Sequence, residues 1–188
     1  WYDSDIMSHP AADYARQLYN WAITTPSYIT HLIPFNELNL IVEHNGKLCD
    51  GQQWDSLHGY AEQLKWQTEF ITEFKKLDTS RTFLVHYGAL SPGHNIVGTE
   101  PESEYDLLAP VLKSYDIVDI HVYGPLNDIW NGVKRAERII SKLNSIGVPT
   151  DRIAITETNT VNYVEFVRYL AGQFPKLLSV FWFLWDAA

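Results

Sequence analysis

The chain has 188 residues, 46% of them hydrophobic, with 14 Lys and Arg against 23 Asp and Glu, a formal net charge of −9. That is the composition of a folded globular domain, and its acidity argues against a nucleic-acid-binding face and against attraction to an anionic membrane. A single Cys49 excludes an intrachain disulfide and a Cys-based zinc site, and no apolar run reaches the ~18–20 residues that span a bilayer.

The ends, Trp1-Tyr2-Asp3-Ser4-Asp5 and Trp185-Asp186-Ala187-Ala188, read as a loop interior and as the exit from an apolar strand. They suggest a piece of a longer polypeptide. From His9 to Thr24, Ala12, Ala15, Leu18, Tyr19 and Ala22 recur at helical spacing, and Pro26 stops the helix. His31 to Leu40 is a short apolar run with a polar end, predicted as a strand. Residues 41–53 read as a functional loop. Trp54 to Leu77 reads as an amphipathic helix with Leu57, Tyr60, Ala61, Leu64, Phe70, Phe74 and Leu77 inward, capped by Asp55 or Ser56.

The second strand is Phe83 to Leu90, followed by the loop Ser91-Pro92-Gly93. A helix is predicted over Glu102 to Tyr115, a strand over Ile117 to Gly124, and a helix over Asp128 to Ile146 with Gly147 as its stop. Ile153 to Asn159 reads as strand, Tyr163 to Phe174 as helix, and Leu178 to Trp185 as the last strand. Strands alternating with helices imply a parallel sheet with crossover connections. The whole of 1–188 reads as one α/β domain. A doubly wound sheet usually carries a glycine-rich phosphate turn, and this chain has no GxGxxG and no GxxxxGK[ST]. A (β/α)8 barrel instead predicts polar residues at the C-terminal ends of several strands, which is the pattern here.

Those ends carry Asn36-Glu37, His86-Tyr87, His121-Val122-Tyr123, Thr156-Glu157-Thr158-Asn159, and Trp182 with Trp185. His121 and Tyr123 share a strand face by the period of two. Two glutamates across a barrel mouth suit glycosidic bond cleavage, one protonating the leaving oxygen and the other attacking the anomeric carbon or activating water. Seven Trp, eleven Tyr and eight Phe fit either a large aromatic core or flat platforms for sugar rings.

The order of these motifs resembles the clan of retaining (β/α)8-barrel glycoside hydrolases that includes cellulases, mannanases and β-glucosidases. The resemblance covers 33–186. It implies a partial TIM-type barrel made of strands 4 to 8 with their helices, the first three strands lying outside this chain. It implies Glu37 as acid/base with Asn36 beside it, Glu157 as nucleophile, His121 and Tyr123 on the sixth strand, and Trp182 or Trp185 as the sugar platform. His86 joins these as a substrate-binding candidate. The clan often has Pro after Asn-Glu where this chain has Leu38, and its second-strand Arg has no counterpart here.

The expected activity is retaining hydrolysis of a β-linked oligo- or polysaccharide, outside the cell, with no metal and no organic cofactor. The expected partners are the carbohydrate and the remaining barrel strands, from the same polypeptide or another chain. Two other readings use the same strand ends. Glu37, His86, His121 and Glu157 are possible ligands of a metal-dependent sugar isomerase or epimerase. A non-catalytic carbohydrate-binding or structural module would keep the aromatic platform and need no carboxylate geometry.

Overall fold

The computed structural model describes residues 7, 9–38, 57–90, 102–124, 128–160 and 162–180. Ten elements follow in chain order: α1 (Ala11–Ala22), β1 (His31–Leu32), α2 (Leu57–Leu77), β2 (Leu84–Tyr87), α3 (Glu104–Leu112), β3 (Ile117–Val122), α4 (Ile129–Ser145), β4 (Ile153–Thr158), α5 (Tyr163–Gln173) and β5 (Ser179–Val180). A short 3-10 turn, Thr150–Arg152, leads into β4.

All four neighbouring strand pairs are parallel, and the sheet runs β1-β2-β3-β4-β5 in sequence order. A doubly wound sheet reverses its order at a switch point. This one does not, and it curls into part of a (β/α)8 barrel. Strand faces divide accordingly. Leu32, Val85, Tyr87, Val118, Ile120, Val122, Ile153 and Ile155 point into the packed helix layer. His31, His86, Asp119 and His121 alternate with them and face the barrel interior.

The helix layer is where the aromatic content goes. Phe35 sits edge-on to Trp66, Phe70, Tyr87 and Tyr115 at centroid distances of 5.7–6.4 Å. Trp66 stacks on Phe70, and its indole N–H donates to the His9 carbonyl at 2.8 Å. Burying a side chain such as Phe35 contributes about 1.5–3 kcal/mol. Here it also pins the segment that follows β1.

Two expectations are corrected. The first strand does not run to Leu40. Its ladder ends at Leu32, because Pro34 has no N–H to donate. The chain continues past a bend at Asn36 and a turn at Leu38, held by Glu37 N–H donating to the Ala89 carbonyl at 2.9 Å. Gly88 makes this passage possible, since a Cβ there would lie 1.9 Å from the Phe35 carbonyl oxygen. The inward face of α2 is also different. Tyr60, Gln63, Trp66, Gln67, Phe70, Ile71 and Phe74 are buried, while Ala61 is exposed and Leu64 only half-buried. Two glutamines occupy positions where an apolar pattern is normally sought, and Gln67 accepts from the Tyr115 hydroxyl at 3.0 Å. Of the predicted last strand, Ser179 and Val180 pair with Ala154 and Ile155, and residues 181–185 lie outside the described residues. Trp54, Asp55, Ser56, Trp182 and Trp185 lie outside the described residues.

Candidate active site

The site is assembled from the ends of β1, β3 and β4. Glu37 reaches it from the bent segment after β1. Its backbone is left-handed, with φ of +43°, a conformation that costs a non-glycine residue about 1–2 kcal/mol. The Phe35 anchor and the Glu37–Ala89 hydrogen bond hold it there. Asn36 beside it is half-buried, and among the described residues no hydrogen bond ties down its amide.

β3 contributes His121, whose side chain is only 1% exposed. Its Nδ1 lies 2.7 Å from Glu37 Oε1, and its Nε2 lies 3.5 Å from Glu157 Oε1. A neutral imidazole has one N–H. With that proton on Nδ1, the ring donates to Glu37 and turns a lone pair toward Glu157. The two carboxylates therefore stand on opposite sides of one ring. Both remain open to solvent, Glu37 at 14% and Glu157 at 24% of their side-chain surface.

Glu157 owes its position to an irregularity. Counting from Ile153 and Ile155, which face the helices, strict alternation sends Glu157 to the same side. In the structure Ile120 pairs with Ile155, but His121 pairs with Glu157. Thr156 is an extra residue, a β-bulge, and it shifts the phase by one. Glu157 thereby turns to the interior face beside His121, and Thr158 turns into the helix side, where it is buried.

Tyr123 completes the group. Its hydroxyl donates to Glu157 Oε2, and its ring centroid is 5.9 Å from that of His121. Burial, and then the hydrogen bond to Glu157, push its pKa well above the ordinary phenol value. The phenol therefore stays protonated and stays a donor. Tyr123 lies just past the β3 ladder. Arg135 Nη1 donates to its carbonyl oxygen at 2.8 Å, and the next residue, Gly124, donates its N–H to Asn159 Oδ1 at 3.2 Å.

His86 stands apart from this group. Its Nδ1 lies 2.7 Å from Asp119 Oδ1, and its Nε2 lies 2.9 Å from His31 Nδ1. Both ring nitrogens are engaged. Burial raises the pKa of Asp119, which is 1% exposed, and the bond from His86 partly offsets this. Burial, and then the neighbouring His86, lower the pKa of His31. His86 is thus held in a second chain of polar groups on the same inner face. Among the described residues, no three His, Cys, Asp or Glu side chains are arranged to hold a metal ion.

The structure thus brings Glu37, His121, Tyr123 and Glu157 together, with Asn36 alongside. Four residues enter that the motifs did not single out for a role. Asp119 could have been found by the period of two, since it lies two residues before His121 on the same face. His31 lies by the same rule on the face of Ile33. Asn159 was part of a quoted strand end. Arg135, on a helix surface, leaves no signal in the sequence.

No family model matches the chain, and no curated protein matches it significantly. In structure it is similar to a GH128 (subgroup II) endo-beta-1,3-glucanase from Sorangium cellulosum. The TM-score is 0.59 and the identity 15%, covering 100% of this chain and 69% of that one. It is also similar to the beta-glucuronidase of Bacteroides uniformis, with a TM-score of 0.53 and 12% identity over 82% of this chain and 19% of that one. Both are glycoside hydrolases built on this barrel. At such identities the likeness is one of fold.

Proposed function

We propose that this domain is the catalytic part, or most of it, of a retaining glycoside hydrolase acting on a β-linked oligo- or polysaccharide. The observation that carries the reading is the convergence of Glu37 and Glu157, from strands three apart in the barrel, on the two sides of His121, with the Tyr123 hydroxyl on Glu157. The similar endo-beta-1,3-glucanase makes a β-1,3-glucan the first substrate to try.

The geometry divides the oxygens of each glutamate. Glu37 Oε1 accepts from His121, leaving Oε2 to carry the proton to the leaving-group oxygen. Glu157 Oε2 accepts from Tyr123, leaving Oε1 to attack the anomeric carbon. In the first step the C–O bond to the aglycone breaks, the leaving oxygen takes the Glu37 proton, and an ester forms between Glu157 Oε1 and the sugar. In the second step Glu37 removes a proton from water, whose oxygen displaces Glu157.

Asn36, beside Glu37, would meet a sugar hydroxyl near the reacting bond. Trp182 or Trp185 would supply the platform beneath the ring. His86 would act from below the site, through its partners, rather than by direct contact. The open edge of β1 and the exposed inner-face residues Ile33 and Leu84 would be covered by further barrel strands.

Glu37→Gln and Glu157→Gln separate the two roles. With β-1,3-glucan both variants should lose turnover, Glu37→Gln by about 100- to 10,000-fold. With a 2,4-dinitrophenyl glycoside, whose leaving group needs no proton, Glu37→Gln should still form the glycosyl-enzyme and Glu157→Gln should not. Substantial glucan turnover in either variant would overturn the reading.

A further inference from the structure

The Tyr123–Glu157 hydrogen bond needs its donor held in place, and the sheet does not do this. The β3 ladder stops at Val122, paired with Thr158. Tyr123 and Gly124 lie beyond it. Their described anchors are Arg135 on α4, bonded to the Tyr123 carbonyl, and Asn159 beyond β4, bonded to the Gly124 N–H.

We propose that Arg135 is a positioning residue that fixes the Tyr123–Gly124 peptide and so aims the Tyr123 hydroxyl at Glu157. This rests on the reading of Glu157 as the nucleophile.

Three observations support it. The bond from Arg135 is 2.8 Å, short for a nitrogen donor, and is charge-assisted. Arg135 is half-buried and, among the described residues, has no carboxylate partner, whereas Arg138 one turn further is paired with Glu102 at 2.9 Å. Arg135 is therefore not part of the surface ion-pair pattern of its helix. Its helix is also in fixed register with the segment it holds. A Cβ at Gly124 would lie 3.0 Å from the Gly132 backbone nitrogen, so the two backbones touch. Asp128 caps α4, accepting from the Trp130 and Asn131 N–H groups, which sets the start of the helix and hence the height of Arg135. A cleft of about 460 Å³ lined by Tyr123, Gly124, Asn131, Arg135 and Arg138 adjoins the contact. A substituted side chain at 135 would thus meet open space rather than a packed wall.

The test needs no substrate. The Cζ carbon shift of labelled Tyr123 reports the hydrogen bond that its hydroxyl donates, and NMR would follow it in the wild type, Glu157→Ala, Arg135→Met and the double variant. Met keeps an apolar stem and removes the donor. Glu157→Ala should move the Tyr123 signal, since its acceptor is gone. Arg135→Met should move it in the same direction, and the double variant no further than Glu157→Ala alone, the mark of two residues acting through one bond. Arg135→Lys, which restores a charged donor, should return the signal most of the way. An unchanged Tyr123 signal in folded Arg135→Met, or a shift that adds to that of Glu157→Ala, would overturn the proposal. Loss of turnover in Tyr123→Phe and Glu157→Gln is a separate readout. If those variants kept full activity while the Tyr123 signals coupled as described, the nucleophile assignment would fail and the positioning role would stand.

Discussion

At the residue scale the site depends on which oxygen of each glutamate is already occupied. Tyr123 commits Glu157 Oε2 and His121 commits Glu37 Oε1. A hydrogen bond to a charged group is worth about 1.5–3 kcal/mol, so Tyr123→Phe should slow the attack step by about 10- to 100-fold. Glycosylation rates measured on an activated aryl glycoside would show it, and a loss smaller than twofold would mean that Tyr123 does not support Glu157. Because its pKa is raised, Tyr123 should contribute no alkaline limb to the rate profile. The residues of this site were mostly legible in the sequence. Asn36-Glu37, His121, Tyr123 and Glu157 each stand at a strand end, where barrel chemistry is found. What the sequence did not show was their pairing. The left-handed backbone at Glu37 and the sharing of one imidazole by two carboxylates depend on contacts between segments far apart in the chain.

At the element scale the decisive feature is the bulge at Thr156. Periodicity placed β4 correctly, but strict alternation from Ile153 would have hidden Glu157 among the helices. A bulge is invisible to a period count, because nothing in Thr156 marks it as the unpaired residue. Deleting Thr156 should close the bulge and leave Glu157 directly after Ile155, still opposite His121 on the inner face. Turnover should persist, and circular dichroism should still report an α/β fold. A folded but inactive deletion variant would contradict the role given to the bulge. The Asp119–His86–His31 chain gives the inner face a pH dependence. The His31 pKa is lowered in the folded state. Its contribution to stability is therefore complete above the ordinary histidine pKa of about 6.5 and is lost as the pH falls through the lower, folded value. Asp119, with a raised pKa, works in the opposite sense, because protonation relieves its burial. Thermal unfolding of wild type and His31→Gln between pH 7 and pH 5 isolates the first effect. The variant should lose less stability than wild type over that interval, and equal losses would show that His31 does not titrate against the fold.

At the scale of the whole molecule, the alternation of strands and helices gave the parallel sheet, and its unbroken order β1-β2-β3-β4-β5 makes it a barrel arc. The arc brings the ends of β1 and β4 to one concave side, as a flat sheet would not. Element boundaries were read less well where chemistry overrode pattern: Pro34 cut the first ladder short, and Gln63 and Gln67 took core positions on α2. The structural likeness to two glycoside hydrolases at 15% and 12% identity is a likeness of this scaffold. On that scaffold the central claim concerns stereochemistry, and proton NMR of the first-formed sugar tests it most directly. During hydrolysis of a β-1,3-glucan by the protein, the reducing end released at the cleaved bond should appear first as the β anomer and only later equilibrate. Initial appearance of the α anomer would show direct displacement by water and would contradict Glu157 as the nucleophile.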